Sequence, residues 1–216
     1  MHYIDIDTWE RRGNYLYFKD FVNSWYSITT EIDLTHAKAA AKAKNESLFL
    51  YYLYAAVHGA NQVKEMRTRL DNQDRVIQHD QVDIITPIGM PNGNFCTLRI
   101  PYAPSFRAFY DTASQLIASA PTLDNPYGAE EQLFEDGIYD VVHLSAVPKL
   151  YFTSVTFTAN QLGRPCSWPL MTAGKTITRE GRVIMPLAVY INHAFVDGNH
   201  LAAFVEAFQQ TLEAIC

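Results

Sequence analysis

The segment Ile191-Asn192-His193-Ala194-Phe195-Val196-Asp197-Gly198 carries the residues best suited to chemistry: a histidine followed four positions later by Asp-Gly. Histidine changes charge near neutral pH, so it can take up and return a proton. The run 183–191 before it is apolar on both faces, as a strand buried on both sides would be. After it, Leu201, Phe204, Val205, Phe208, Leu212 and Ile215 share one helical face. A side chain at such a strand-to-helix junction can face a cleft while its backbone is anchored in the core. Other readings stand beside this one. His193 suits a structural histidine, and Asp197 suits a helix cap that accepts free backbone N–H groups. His193, Asp197 and His200 together have a tolerable metal-ligand spacing, without a further ligand cluster to support it.

Positioning that junction requires a sheet with helical cover. Alternation and turn signals predict strands over 24–33, 75–79, 83–90, 94–102, 140–145, 150–158, 168–176 and 182–191. Apolar spacing predicts helices over 35–44, 47–61, 105–118 and 199–214. Pro91-Asn92-Gly93-Asn94 and Arg179-Glu180-Gly181 fall between apolar runs and read as hairpin connections. Strands in succession with a few covering helices point to a mixed α/β sandwich. The chain contains no internal repeat, low-complexity tract or Pro/Gly-rich linker, so residues 1–216 read as one domain.

Composition narrows the classes. A hydrophobic content of 48% with 13% aromatics excludes a mostly disordered chain. The net charge of -6, with no basic block, argues against nucleic acid as a partner. No apolar run is long enough to span a bilayer, and the N-terminus lacks the regions of a signal peptide. Cys96, Cys166 and Cys216 are odd in number without paired spacing, which suggests neither a disulfide framework nor a zinc site. A soluble cytoplasmic protein is expected, in which the sequon Asn45-Glu46-Ser47 would go unmodified.

Several segments, met in order along nearly the whole chain, resemble the chloramphenicol acetyltransferase family. The His193-to-Gly198 segment is similar to its His-x-x-x-Asp-Gly signature, which dihydrolipoyl acyltransferase cores share, and Met185-Pro186-Leu187-Ala188-Val189 resembles the Pro-Leu strand before it. Pro169-Leu170-Met171-Thr172-Ala173-Gly174-Lys175 resembles a Pro-x-x-Thr-Met-Gly-Lys segment. Leu144-Ser145-Ala146-Val147-Pro148, with Phe152-Thr153-Ser154 after it, resembles Ser-Ala-x-Pro and Phe-Thr-Ser. Asp5-Ile6-Asp7-Thr8-Trp9-Glu10-Arg11-Arg12, Glu65-Met66-Arg67 and Pro101-Tyr102 fit as well.

The resemblance implies a two-layer mixed-sheet sandwich of the chloramphenicol acetyltransferase-like type. It also implies acetyl transfer from acetyl-CoA, as cosubstrate and without a metal, to a hydroxyl of chloramphenicol or a similar small molecule. His193 would be the general base in a direct attack on the thioester, with no acyl-enzyme. Ser145 would donate to the oxyanion, and Thr172 would help hold the tetrahedral intermediate through water. Arg11 would pair with Asp197 to fix the loop, and Gly198 would permit a close backbone approach. Tyr17, Phe18 and Tyr26 would contact the acceptor, and Lys175 the CoA. A homotrimer with active sites between subunits would follow, with no nucleic acid or membrane partner.

Other positions differ from the family pattern. Asn192 replaces the first of two histidines, Lys149 a tryptophan and Phe18 a drug-contacting tyrosine. Thr176 replaces an aromatic near the CoA adenine, and Ser47 a lysine near the cofactor phosphates. The catalytic set is thus kept while both binding surfaces change. A same-mechanism acyltransferase for another hydroxyl or amine compound remains open, as does a non-catalytic binding module. A lipoyl-domain acyltransferase core is disfavoured for want of lipoyl and linker segments.

Overall fold

The computed structural model describes residues 1–158 and 166–216 in full, and the backbone alone at 160, 161, 164 and 165. In chain order the elements are β1 (His2–Tyr3), α1 (Arg12–Phe18), β2 (Trp25–Asp33), α2 (Thr35–Lys44), α3 (Leu48–Gln62), β3 (Thr68–Leu70) and β4 (Val76–Gln78). There follow β5 (Asp83–Gly89), β6 (Phe95–Ile100), α4 (Phe106–Ser119), α5 (Gly128–Asp136), β7 (Val141–Val147), β8 (Asn160–Gln161) and β9 (Arg164–Pro165). The chain ends with β10 (Leu170–Gly174), β11 (Ile177–Arg179), β12 (Arg182–Asn192) and α6 (Gly198–Ala214).

Among the described residues, seven strands form the main sheet. β12 lies antiparallel to β2 along one side and to β10 and β11 along the other. β7 is parallel to both β10 and β5, and β6 closes the far edge antiparallel to β5. The sheet is therefore mixed. A smaller antiparallel sheet, β1-β4-β3, stands beside it.

The two-residue period of the strands decides which side chains meet the helices. Met185, Leu187, Val189 and Ile191 of β12, Val142 and Leu144 of β7, and Met171 and Ala173 of β10 enter the main core with α3 and α6. The intervening residues face the opposite side, where Trp25, Ile85, Leu133, Val141, Cys166 and Trp168 form a second, smaller core. β12 is thus covered on both faces, as its unbroken apolar run requires. α3 is apolar almost all round and is buried almost all round. Gly59 lets it cross α6 closely, since a Cβ there would lie 3.2 Å from the Phe208 nitrogen. Glu180 and Gly181 take φ of 51° and 78°, which gives the β11–β12 hairpin the primed turn that strand twist favours.

Three departures from the sequence reading have physical causes. Residues 150–158 do not form a strand, although their β-branched and aromatic run has strand character. Their side chains dock on the sheet instead: Phe157 stacks on Tyr190 at 5.1 Å, and Phe152 sits where only a glycine fits at position 174. α1 and α5 are helices where none was expected, both too short for apolar periodicity to register. Gly198 shows no close backbone approach, because a Cβ there would meet open space.

The small sheet is tied to the large one by buried polar groups. Arg69 is fully buried, and its guanidinium donates to the carbonyls of Met66, Tyr139 and Val141. His79, only 2% exposed, bonds through Nε2 to the Ile138 carbonyl at 2.8 Å. Burial foremost, then the charge of Arg69, pushes its imidazole down to about 4, against a weaker pull from Ile138 and Asp140. A group depressed in the native state stabilises fully above its unfolded value near 6.5 and loses that contribution as pH falls towards 4. His79→Gln, which retains a donor for Ile138, should therefore flatten the stability difference between pH 7 and pH 5 by about 2 kcal/mol. Urea melts at the two pH values measure it.

Candidate active site

The loop leaving β12 is wound around Asn192. Its main-chain carbonyl accepts the N–H groups of Phe195 and Val196, at 3.1 and 3.0 Å, and its side-chain Oδ1 accepts that of Ala194 at 2.9 Å. Such a side-chain turn is what asparagine offers over most residues. Ala194, Phe195 and Val196 are each 2% exposed and anchor the loop in the core. The His193 N–H donates to the Ser24 carbonyl at 2.7 Å, which joins the loop to the start of β2.

This anchoring leaves the His193 side chain only partly covered. Its ring stacks on Phe18 with centroids 4.1 Å apart and planes 9° from parallel. Tyr26 lies on it at 4.7 Å and a 41° tilt. Nδ1 is buried without a hydrogen-bond partner among the described residues. The Tyr26 hydroxyl is pushed up to about 12 by burial and by the charge of Asp197, Arg11 opposing, so it stays a neutral donor in the working pH range.

Asp197 performs two tasks with two oxygens. Oδ1 accepts the N–H groups of Asn199 and His200, at 3.0 and 3.4 Å, and so caps α6. Oδ2 accepts from Arg11 Nη1 at 3.1 Å, across 186 positions of sequence. Burial works to raise this carboxyl, but the Arg11 hydrogen bond, His200 and the two N–H groups prevail and hold it below the usual carboxylate range. The side chains of the pair are 12% and 28% exposed, largely removed from water. Asp197 thus caps α6 and pairs with Arg11 at the same time.

The structure therefore brings Arg11, Phe18, Tyr26, His193 and Asp197 together. Tyr17 stands apart from the ring: it is 65% exposed and packs on Phe18 and Phe21. Trp25 faces the other side of the sheet, stacked on Tyr190. Ser145 and Thr172 form a second pair, opposite each other on the parallel strands β7 and β10 and on the face away from the helices. Lys175 is exposed just past β10, its N–H bonded to the Leu150 carbonyl. This second pair does not meet His193 within one chain. Thr172 pairs with Ala188, and His193 lies roughly 17 Å further along β12.

Sequence patterning alone missed the helix α1 and the parts played by Asn192, His200 and Glu65. α1 delivers Phe18, and the i,i+3 aromatics Tyr15 and Phe18 were its available signal. Asn192 shapes the loop through its amide, and His200 and Glu65 meet beside Asp197, with Nε2 to Oε1 at 3.5 Å. Among the described residues no group of three or more His, Cys, Asp or Glu side chains is placed to hold a metal ion, and no helix is long and apolar enough to cross a membrane.

Comparison with known proteins matches residues 1–209 to the family model described as chloramphenicol acetyltransferase. A chloramphenicol acetyltransferase of Streptomyces acrimycini is 29% identical over 215 residues, covering 97% of this chain and 93% of that protein. Chloramphenicol acetyltransferase 2 of Escherichia coli is 27% identical over 210 residues, covering 95% and 94%. A solved chloramphenicol acetyltransferase superposes with a TM-score of 0.93 at 42% identity, over 98% of this chain and 99% of that one. Dihydrolipoamide acetyltransferase of Azotobacter vinelandii shares the fold more distantly, at a TM-score of 0.64 and 18% identity. A mixed-sheet sandwich with these matches is that of an acyltransferase. The chain belongs to the chloramphenicol acetyltransferase family.

Removing either charge of the Arg11–Asp197 pair leaves the other poorly solvated. Arg11→Ala and Asp197→Asn should each cost about 2–3 kcal/mol, less than a fully buried pair because both partners keep some hydration. Scanning calorimetry would show a Tm lower by roughly 5–10 °C. The double variant should cost clearly less than the sum, since the two side chains are in contact.

Proposed function

We propose that residues 1–216 form one acyltransferase domain that moves an acetyl group from acetyl-CoA to a hydroxyl of chloramphenicol or a similar small molecule. The observation that carries this reading is the His193 ring, partly open, clamped between Phe18 and Tyr26 on a loop pinned by Arg11–Asp197. His193 takes the proton from the acceptor hydroxyl as its oxygen bonds to the thioester carbonyl carbon. The resulting tetrahedral intermediate carries its negative charge on the former carbonyl oxygen. Ser145 donates to that oxygen, and Thr172, its neighbour across the strands, helps hold the intermediate. Collapse breaks the carbon–sulfur bond, and the departing sulfur takes the proton from His193. Asp197 orients the loop and does not relay the proton. Phe18, with Tyr26 and the exposed Tyr17, forms the aromatic wall for the acceptor, and Lys175 contacts CoA. Three free cysteines accord with a reducing, cytoplasmic setting.

The strand register supports an active site shared between copies. One chain carries the base at one end of the β10–β12 ladder and the Ser145–Thr172 pair roughly 17 Å away, so neither end is complete alone. A homotrimer with the base of one copy facing the Ser145–Thr172 pair of the next reunites them.

CoA thiol release from acetyl-CoA, followed with chloramphenicol and a panel of small alcohols and amines, tests the reaction. Turnover that requires an acceptor is expected, with His193→Ala lowering kcat by roughly 10²–10⁴. Normal turnover by that variant, or no turnover by the unsubstituted chain, overturns the reading. Co-expressing His193→Ala with Ser145→Ala chains tests the shared site: random trimers should regain about one quarter of normal activity, since each site draws its two groups from different copies. A site contained in one chain would regain none.

A further inference from the structure

Six charged or titratable side chains beside the His193 loop form a closed circuit across three segments. Arg11 pairs with Asp197, and Asp197 contacts His200. His200 Nε2 lies 3.5 Å from Glu65 Oε1. Lys64 lies 3.9 Å from Glu65 and pairs with Glu10, the chain neighbour of Arg11. The N-terminal segment, the 3₁₀ turn Lys64–Arg67 and the first turn of α6 are thereby locked to one another.

His200 holds the central place. Its Nδ1 accepts the Asp197 backbone N–H at 3.2 Å, while its own N–H is capped by Asp197 Oδ1, a reciprocal capping box with histidine in the place usual for Glu or Gln. Nδ1 also lies 3.2 Å from Asp197 Oδ1, and Nε2 lies 3.5 Å from Glu65 Oε1, so the ring sits between the two carboxylates. Glu65 is only 7% exposed, and a carboxylate so placed needs partners; it has Lys64 at the edge and His200 towards the loop. Nothing in the proposed reaction uses either residue directly.

Resting on that reaction, we propose that His200, braced by Glu65, is a positioning residue for His193. It fixes the backbone N–H of Asp197 and with it the stretch from Asp197 back to the base. Arg11 restrains Asp197 from the side-chain oxygen, and His200 restrains it from the main chain, so the loop cannot pivot about the ion pair.

Steady-state rates with acetyl-CoA and chloramphenicol, or whichever panel acceptor the unsubstituted chain acetylates, test this together with thermal melts. His200→Ala should lower kcat by up to about 100-fold, the scale of misplacing a reacting group by about 1 Å, with both KM values within about twofold. His200→Gln, whose amide oxygen can accept the Asp197 N–H, should recover most of the lost kcat. Should His200→Ala fail to fold, Glu65→Ala against Glu65→Gln makes the same comparison. An unchanged kcat per folded molecule, rising KM values, or a glutamine variant as slow as the alanine one overturns the proposal while leaving the acyltransferase reading intact. A chain that acetylates nothing overturns both.

Discussion

The carboxylate of Asp197 is the constraint on which the site rests. One oxygen terminates α6 and the other meets a guanidinium from the far end of the sequence, so the helix start, the β12 loop and the N-terminal segment share a single fixed point. Partly buried ion pairs contribute uncertainly to net stability, because desolvation offsets attraction. Their surer effect is geometric: a charge that has one acceptable partner permits one arrangement. Arg11 stands at the threshold of α1, and fixing it also fixes the helix that lays Phe18 on the His193 ring.

Around that point the structure separates tasks by layer. The helix-covered side of the sheet is almost wholly hydrocarbon and holds the strands in register. The opposite side carries a small aromatic core, with Ser145 and Thr172 beside it on the same face. Because a strand alternates strictly, Ser145 cannot turn towards the helices without dragging Leu144 out of the core. The packing of one face thus determines the chemistry available on the other.

The sequence declared what periodicity can declare. β12, α2, α3, α4 and α6 are long enough for apolar spacing to reveal them, and the Arg179-Glu180-Gly181 turn is plain from its residues. Short α1 and α5 lack that length, and 150–158 misleads because its strand-forming side chains are used for docking on the sheet. The Arg11–Asp197 contact has no local signature at all; only likeness to a family suggested it, and the fold supplied the geometry. His200 was legible as a residue type but not as a role, since the backbone group it accepts from becomes visible only when the loop is folded.

The Phe18 ring lying flat on His193 has a spectroscopic consequence. Aromatic ring current above and below the plane shields nearby nuclei, so the His193 imidazole carbon-bound protons should resonate upfield of those of a solvated histidine. Their resonance positions then act as a built-in gauge of whether α1 is seated, readable in the free protein before any substrate is added.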